Sequence, residues 1–318
     1  MDAVFSTARE LSADERRELQ ARRDGPALVR LGIQLGVWLS SAIALVALPA
    51  GEWPFVIALV GLALMQAASF AAMHECGHGT AFATRWLDEL GLNLTALLML
   101  NSPTAFRQFH FEHHRKTHVV GDPELPRRSL EFAAWPTNPI AWLIMVSGQL
   151  LVLGKLAVLL ATAIGRPATW WETWMPFVPE RARARVGWES RAILAILLGV
   201  VALALFVRPS FAWLLLGYPL AHLLLGPCLV AEHTGLASEG DVLARTRSIS
   251  TNVVIRWLMW NMPLHAEHHG WPAVPFHALP RLHARVVDVL PHHGRGYLAI
   301  HARALKAAFR SAPPIEVE

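Results

Sequence analysis

Cysteine is nearly absent: the 318 residues contain two, too few for a disulfide framework or a cysteine-rich zinc module. Charge is also scarce. Asp, Glu, Lys and Arg make up 16% of the chain, where soluble globular chains carry about a quarter. With 54% hydrophobic residues and a mean hydropathy of +0.36, the composition argues against a soluble, fibrous or disordered chain and for an integral membrane protein. No apolar stretch follows Met1 directly, so a cleaved signal peptide is not expected. Tyrosine numbers two, whereas histidine numbers sixteen. Imidazole is costly in a bilayer unless it has a task, so this excess is the most informative count. The formal charge is +4. In an apolar chain that marks cytoplasmic loops and anionic lipid, and no nucleic-acid partner is expected.

Residues 1–26 form a polar arm, with Arg and Glu interleaved from Ser6 to Arg30. Two apolar stretches follow, 27–50 and 55–73, separated by Gly51-Glu52-Trp53-Pro54. Each has about 20 residues, enough to cross ~30 Å of hydrocarbon at ~1.5 Å per residue. Segment 87–100 carries Asp88, Glu89, Asn93 and Asn101 at or beside it and reads as an interfacial helix. Segments 192–207 and 211–230 form a second hairpin about Arg208-Pro209-Ser210, and 139–164 lies in the interface or re-enters. This arrangement brings every histidine cluster to one membrane face. Arg16, Arg17, Arg22, Arg23, Arg30, Arg115, Lys116, Arg127, Arg128, Arg181, Arg183 and Arg185 lie on that face, which the positive-inside rule makes cytoplasmic. Tryptophans near span ends (Trp53, Trp86, Trp135, Trp142, Trp170, Trp171, Trp174) suit an interfacial belt. The expectation is an all-α membrane protein, one domain over 1–318, with about four transmembrane helices in two hairpins. Interfacial helices, a cytoplasmic His-rich cap and a polar tail over 284–318 complete it.

Three histidine clusters carry the chemistry. The first, His74-Glu75-Cys76-Gly77-His78, stands at the end of a span. On a continuing helix, positions i and i+4 differ by about 40° in azimuth and ~6 Å in height, so both imidazoles can meet one metal ion. The second is His110-Phe111-Glu112-His113-His114, and the third His265-Ala266-Glu267-His268-His269. Within each, the later histidines fall about 60° and 40° from the first, on one helical face. His118 continues the second face one turn further. At sixteen His in 318, H-x-x-H-H is expected by chance about 0.04 times along the chain, and it occurs twice. His233, in Glu232-His233-Thr234-Gly235 at the end of the last span, emerges at the same face and joins the ligand set. His222, His277, His283, His292, His293 and His301 read as ordinary polar residues, and Cys76 and Cys228 as packing.

So many imidazoles exceed the needs of one ion and suit two. Imidazole accepts Zn, Cu or Fe, so donor type alone does not choose. Two ions in an all-nitrogen cage beside an apolar pocket point to a redox pair that activates O2 against an unactivated C–H bond. Glu75, Glu112, Asp122, Glu232 and Glu267 are candidates to accept the second ring N–H of the ligands.

The three clusters, in this order after paired spans, resemble the three histidine boxes of the membrane fatty acid desaturase and hydroxylase superfamily. Thr117-His118, Gly121-Asp122-Pro123, Trp260-Asn261-Met262-Pro263, Val274-Pro275-Phe276-His277 and Leu279-Pro280 agree with it. The resemblance implies an α-helical membrane domain whose cytoplasmic cap carries two Fe ions. It carries the box ligands over to His74, His78, His110, His113, His114, His265, His268 and His269, with a further ligand at His233. Family members that place an Asn one turn before that last His meet Leu229 here. The implied activity is O2-dependent oxidation of a lipid or fatty acyl C–H bond: desaturation first, hydroxylation as the alternative. Arg107, Arg115, Arg127, Arg128, Arg245 and Arg256 offer contacts for an anionic head group, although positive-inside topology explains them equally well. The chain shows no haem- or flavin-binding module, so electrons come from a ferredoxin-like or small haem carrier. Two other readings compete. HECGH satisfies the zinc hydrolase motif H-E-x-x-H, but an intramembrane protease leaves both H-x-x-H-H sets without a task. A non-enzymatic metal-binding membrane protein is the other.

Overall fold

The computed structural model describes residues 9–125, 134–136 and 138–310, so Arg127 and Arg128 lie outside the described residues. The first helix, α1 (Ala13–Leu19), opens on a capping box in which Ser12 and Glu15 satisfy each other's backbone N–H groups. A hairpin follows, α2 (Asp24–Ala47) and α3 (Trp53–His78). Pro54 lies in the first turn of α3, where its missing N–H is not needed. That helix continues past the expected end at 73 and takes in the whole first histidine cluster. It stops on Gly79, whose φ of 69° is cheap only for glycine.

Next, α4 (Arg85–Leu98) packs along α3. It buries Asp88, Leu92, Thr95 and Ala96 and exposes Trp86, Leu90 and Leu94. Fourteen residues reach about 21 Å, too short to span. Then α5 (Pro103–Lys116) starts on Ser102, which caps Ala105 N at 3.1 Å.

Segment 139–164 forms α6 (Pro139–Val146) and α7 (Gln149–Ala163), bent by 52°. The bend is pressed into a later helix. A Cβ on Gly148 (φ 69°) would stand 2.2 Å from the His222 carbonyl, and one on Gly226 2.3 Å from the Val146 carbonyl. After α8 (Ala168–Trp174) come α9 (Glu180–Phe206), a 3-10 turn over Pro209–Leu216, and α10 (Gly217–His233). The short helices α11 (Val253–Leu258), α12 (His265–Gly270) and α13 (Leu279–Val286) cover one end of the bundle. Within the expected polar tail, α14 (Tyr297–Phe309) is an ordered helix that buries Ile300, His301 and Ala304 and packs on α10 and α6. Two-residue strands, Ser248–Ile249 and His293–Gly294, pair in parallel.

Four segments are long and apolar enough to cross a membrane: Ala13–Ala47, Trp53–His78, Glu180–Phe206 and Pro209–His233. The chain is therefore an all-α membrane fold with the expected pair of hairpins. The tryptophan belt needs correction. Trp53, Trp86 and Trp174 are exposed, but Trp135 and Trp171 are core residues at 3% and 4% exposure. Trp135 fills the space a side chain would take at Gly235, beside the end of α10.

Candidate metal centre

Nine of the ten expected ligands converge. His74, His78, His110, His114 and His268 form one group, and His113, His233, His265 and His269 a second; within each, one ring nitrogen per residue lies within 4.8 Å of all the others. The helices that supply them are set by local rules. The unbroken α3 places His74 and His78 one turn apart, and the Ser102 cap fixes where α5 begins. Before α12 the chain turns sharply through Trp260 and Asn261, both at positive φ (49° and 61°), and Asn261 Nδ2 donates to the Phe276 carbonyl at 2.9 Å.

The boxes do not map one to one onto the groups. In α5, His110 and His114 go to the first group and His113 to the second; in α12, His265 and His269 go to the second and His268 to the first. Each i, i+4 pair stays together because its members point within about 40° of each other, while the i+3 residue diverges by about 100° from its i+4 neighbour. The His114 and His269 rings stack at 4.1 Å and 11°, so the groups are adjacent.

Four Nε2 atoms of the first group form a ring: His78 to His110 at 2.7 Å, then His110 to His114, His114 to His268 and His268 to His78, each 3.1 Å. A square of side about 3 Å has its centre about 2.1 Å from each corner, the length of a metal–imidazole bond. His74 is 1% exposed, and neither of its ring nitrogens has a hydrogen-bond partner among the described residues. Buried polar atoms without partners call for a reason, and a cation on these lone pairs supplies one. In the second group His265 Nε2 lies 2.8 Å from His233 Nε2 and 3.1 Å from His269 Nε2. Burial, then repulsion among the rings, holds His110, His114, His265 and His269 well below the ordinary imidazole value. The same holds for His268. Neutral rings are the ligating form.

Outer contacts orient the ligands. His113 Nδ1 donates to Asp122 at 2.9 and 3.0 Å, leaving Nε2 for the centre. Burial disfavours a charge on His113, but the Asp122 and Glu124 carboxylates prevail and push its pKa up to about 9. This spot thus calls for positive charge, from a proton or from a metal ion. Thr117 Oγ1 meets His269 Nδ1 at 3.0 Å, and His233 Nδ1 donates to the Arg245 carbonyl at 3.1 Å. Glu75 stands 3.4 Å from His74 Nδ1 and 3.8 Å from His268 Nδ1, and Glu232 stands 3.7 Å from His265 Nε2. Two expected carboxylates are engaged elsewhere. Glu112 pairs with Arg115 and Lys116, and Glu267 bonds Ser248 and His283. Sequence reasoning missed Thr117, Glu124 and the Arg245 carbonyl, which are close only after folding.

His118 falls in neither group. Its backbone is left-handed (φ 58°), its ring centroid lies 6.2 Å from that of His233, and Nδ1 donates to the Ala237 carbonyl at 2.9 Å. The helix has ended at Lys116, so the helical face extrapolated to His118 does not exist. Cys76 packs in the core and Leu229 lies against it. Arg107 is held by Glu89 at 2.8 Å and the Gly77 carbonyl at 3.1 Å, and Arg245 reaches the Thr117 carbonyl at 3.0 Å.

A helical membrane bundle whose end gathers nine imidazoles into two adjacent groups has the donor set to hold metal ions through histidine. The family model for fatty acid desaturases matches residues 51–301, well over half of the chain, and the protein belongs to that family. It is similar to the sphingolipid delta(4)-desaturase/C4-monooxygenase of Rattus norvegicus, 25% identical over 240 residues. The Mus musculus protein of that name is 26% identical over 247 residues. Each alignment covers 70% of this chain and 63% of the relative's length.

Proposed function

We propose that the protein is a di-iron oxidoreductase that uses O2 to oxidise an unactivated C–H bond of a lipid or fatty acyl chain, with desaturation as the outcome. The observation that carries this reading is the pair of all-imidazole groups at the end of an apolar bundle. His74, His78, His110, His114 and His268 would hold one iron, and His113, His233, His265 and His269 the other. Bound there, iron would supply the one-electron chemistry that O2 activation needs. Burial favours the neutral form of His110, His114, His265, His268 and His269, and Asp122, Thr117 and the Arg245 carbonyl would orient the rings of His113, His269 and His233. Electrons come from a separate ferredoxin-like or small haem carrier. The arginine-rich ends set the multi-pass orientation, with the centre at the cytoplasmic face.

Hydroxylation is the second reading. The curated relatives carry both a desaturase and a monooxygenase in their names, and the ligand set does not separate the two outcomes. The zinc hydrolase reading meets an obstacle in Glu75. A general base must face the metal-bound water, whereas Glu75 is fully buried behind the ligands, near the Nδ1 side of His74 and His268, and accepts from Phe276 N at 3.1 Å. Expression in a host lacking the gene, followed by lipid mass spectrometry, tests the proposal. Loss of two hydrogens from a lipid supports desaturation, gain of one oxygen supports hydroxylation, and an unchanged lipid profile from iron-loaded enzyme with a reduced carrier refutes both.

A further inference from the structure

Arg247 belongs to neither metal group and is among the largest side chains that the fold buries completely, at 0% exposure. Every hydrogen bond of its guanidinium goes to a backbone carbonyl at the end of α10: Nη1 donates to Ala231 and Thr234, and Nη2 to Thr234. Among the described residues no carboxylate pairs with it. A buried charge without a counter-ion is costly. Here the last carbonyls of a helix, at the negative end of its dipole, offset that cost. The helix so held supplies one candidate ligand, His233, which is its last residue. The guanidinium brackets that histidine, closing on the carbonyl two positions before it and on the carbonyl directly after it.

The segment that carries Arg247, residues 245–249, is itself anchored on every side. The Arg247 backbone N–H donates to the Glu232 carbonyl at 2.9 Å, and the Arg245 carbonyl accepts from His233 Nδ1 at 3.1 Å. Ring and backbone of His233 are therefore gripped from one segment. That segment is tied in turn to the other two helices that serve the second group. Arg245 Nη1 reaches the Thr117 carbonyl at 3.0 Å, at the end of α5, and Ser248 Oγ accepts from Ala266 N at 3.2 Å in α12. Ile249 N donates to the Pro263 carbonyl at 2.7 Å, and Ser248 and Ile249 pair with His293 and Gly294. Gly294 leaves the room this packing needs: a Cβ there would stand 2.8 Å from Ile300 Cδ1 and 3.1 Å from Arg247 Cδ.

We infer that Arg247 is a positioning residue for the second metal group alone, acting through the end of α10 to hold His233 in place. The inference rests on the two-ion centre proposed above. Its asymmetry follows from which helices the side chain touches. The first group draws on α3, α5 and α12, and the guanidinium bonds reach α10 and the residue after it. Without the guanidinium, the Ala231 and Thr234 carbonyls lose their donors and the last turn of α10 is free to fray. His233 then loses its fixed place opposite His265, whose Nε2 lies 2.8 Å from its own. Losing an outer contact of a ligand weakens metal binding about 10–100-fold, and here the loss falls on one ion of two.

The test uses the full-length protein in detergent, stripped of metal and titrated anaerobically with ferrous iron against a chromophoric chelator. The parent should bind two ions. Arg247→Met should bind one of them as the parent does and the other about 10–100-fold more weakly. Arg247→Lys, which keeps the charge but not the planar fork, should fall in between. A general structural role would not separate the two ions. Double-mutant cycles locate the effect: on a His233→Ala background Arg247→Met should add nothing, whereas on a His78→Ala background, in the first group, it should add in full. Equal weakening of both ions, no weakening, or failure of both Arg247 variants to fold overturns the assignment and leaves the proposed function standing. A parent that binds fewer than two ferrous ions sinks the proposed centre and this inference with it.

Discussion

At the scale of single residues, position around a helix decides which group a histidine serves. His268 closes the four-nitrogen ring of the first group, 3.1 Å from both His78 and His114. His268→Ala is expected to abolish turnover and lower iron content. His301→Ala, which removes a ring packed between two indoles and bonded to the Pro227 carbonyl, should change neither. Plasma mass spectrometry of iron together with product analysis checks both, and full activity in the His268 variant would refute its assignment. Asp88 makes a different kind of prediction. Burial on α4 pushes its carboxyl up to about 6, above the unfolded value of about 3.9. A raised folded pKa gives stability that is complete below the unfolded value and lost as pH rises through the folded one. Asp88→Asn should therefore raise the thermal midpoint relative to the parent at pH 8. That advantage should shrink below about pH 4, because both chains are then neutral at this position. An equal gap at both pH values would remove burial as its cause.

At the scale of elements, the bent pair α6–α7 and the helix α10 depend on contacts that admit no side chain. Gly148 combines a φ of 69° with a carbonyl in the place its Cβ would take. Gly148→Ala is expected to destabilise the protein by about 1–3 kcal/mol through strain and displacement of α10, which bears His233. Lower thermal stability with weaker iron retention is the expected result in detergent, and a silent substitution would show the bend to be plastic. Much of this level was legible beforehand. The two hairpins, the interfacial α4 and the irregular 139–164 segment follow from run length and from the polar residues within each run. The helical ends were less so. Apolarity stops at Met73, but the α3 backbone continues through polar His74 and Glu75 because burial against α5 and α12 replaces the lipid. The order of α14 was likewise hidden, since a short stretch of mixed polarity becomes a packed helix only when α6 and α10 are there to cover it.

At the scale of the whole molecule, the two histidine groups tie four helices together. Candidate ligands from α3, α5, α10 and α12 converge on them, so an ion held by the first group would link elements up to 194 positions apart, from His74 to His268. Two iron ions per chain are expected, and their removal by a chelator should lower the thermal midpoint, because ions that bind only the folded state add to its stability. Restoring ferrous iron should recover the midpoint. If chelation removes both ions without any shift, the imidazole groups do not depend on metal for their arrangement.

Composition and spacing alone determined the broad outline. An apolar chain with scarce charge favours helices in lipid, and two H-x-x-H-H sets beside an H-x-x-x-H pair offer more imidazoles than one ion takes. The division of those histidines into five and four was decided only by the tertiary structure. A motif records which ring nitrogens are near in sequence. Which of them gather into one group depends on where α5 and α12 cross, since the i+3 residue of each box turns away from its i, i+4 partners toward the opposite group. For the same reason His118 drops out: the backbone leaves the helix two residues before it, and no periodicity extends past a helix that has ended.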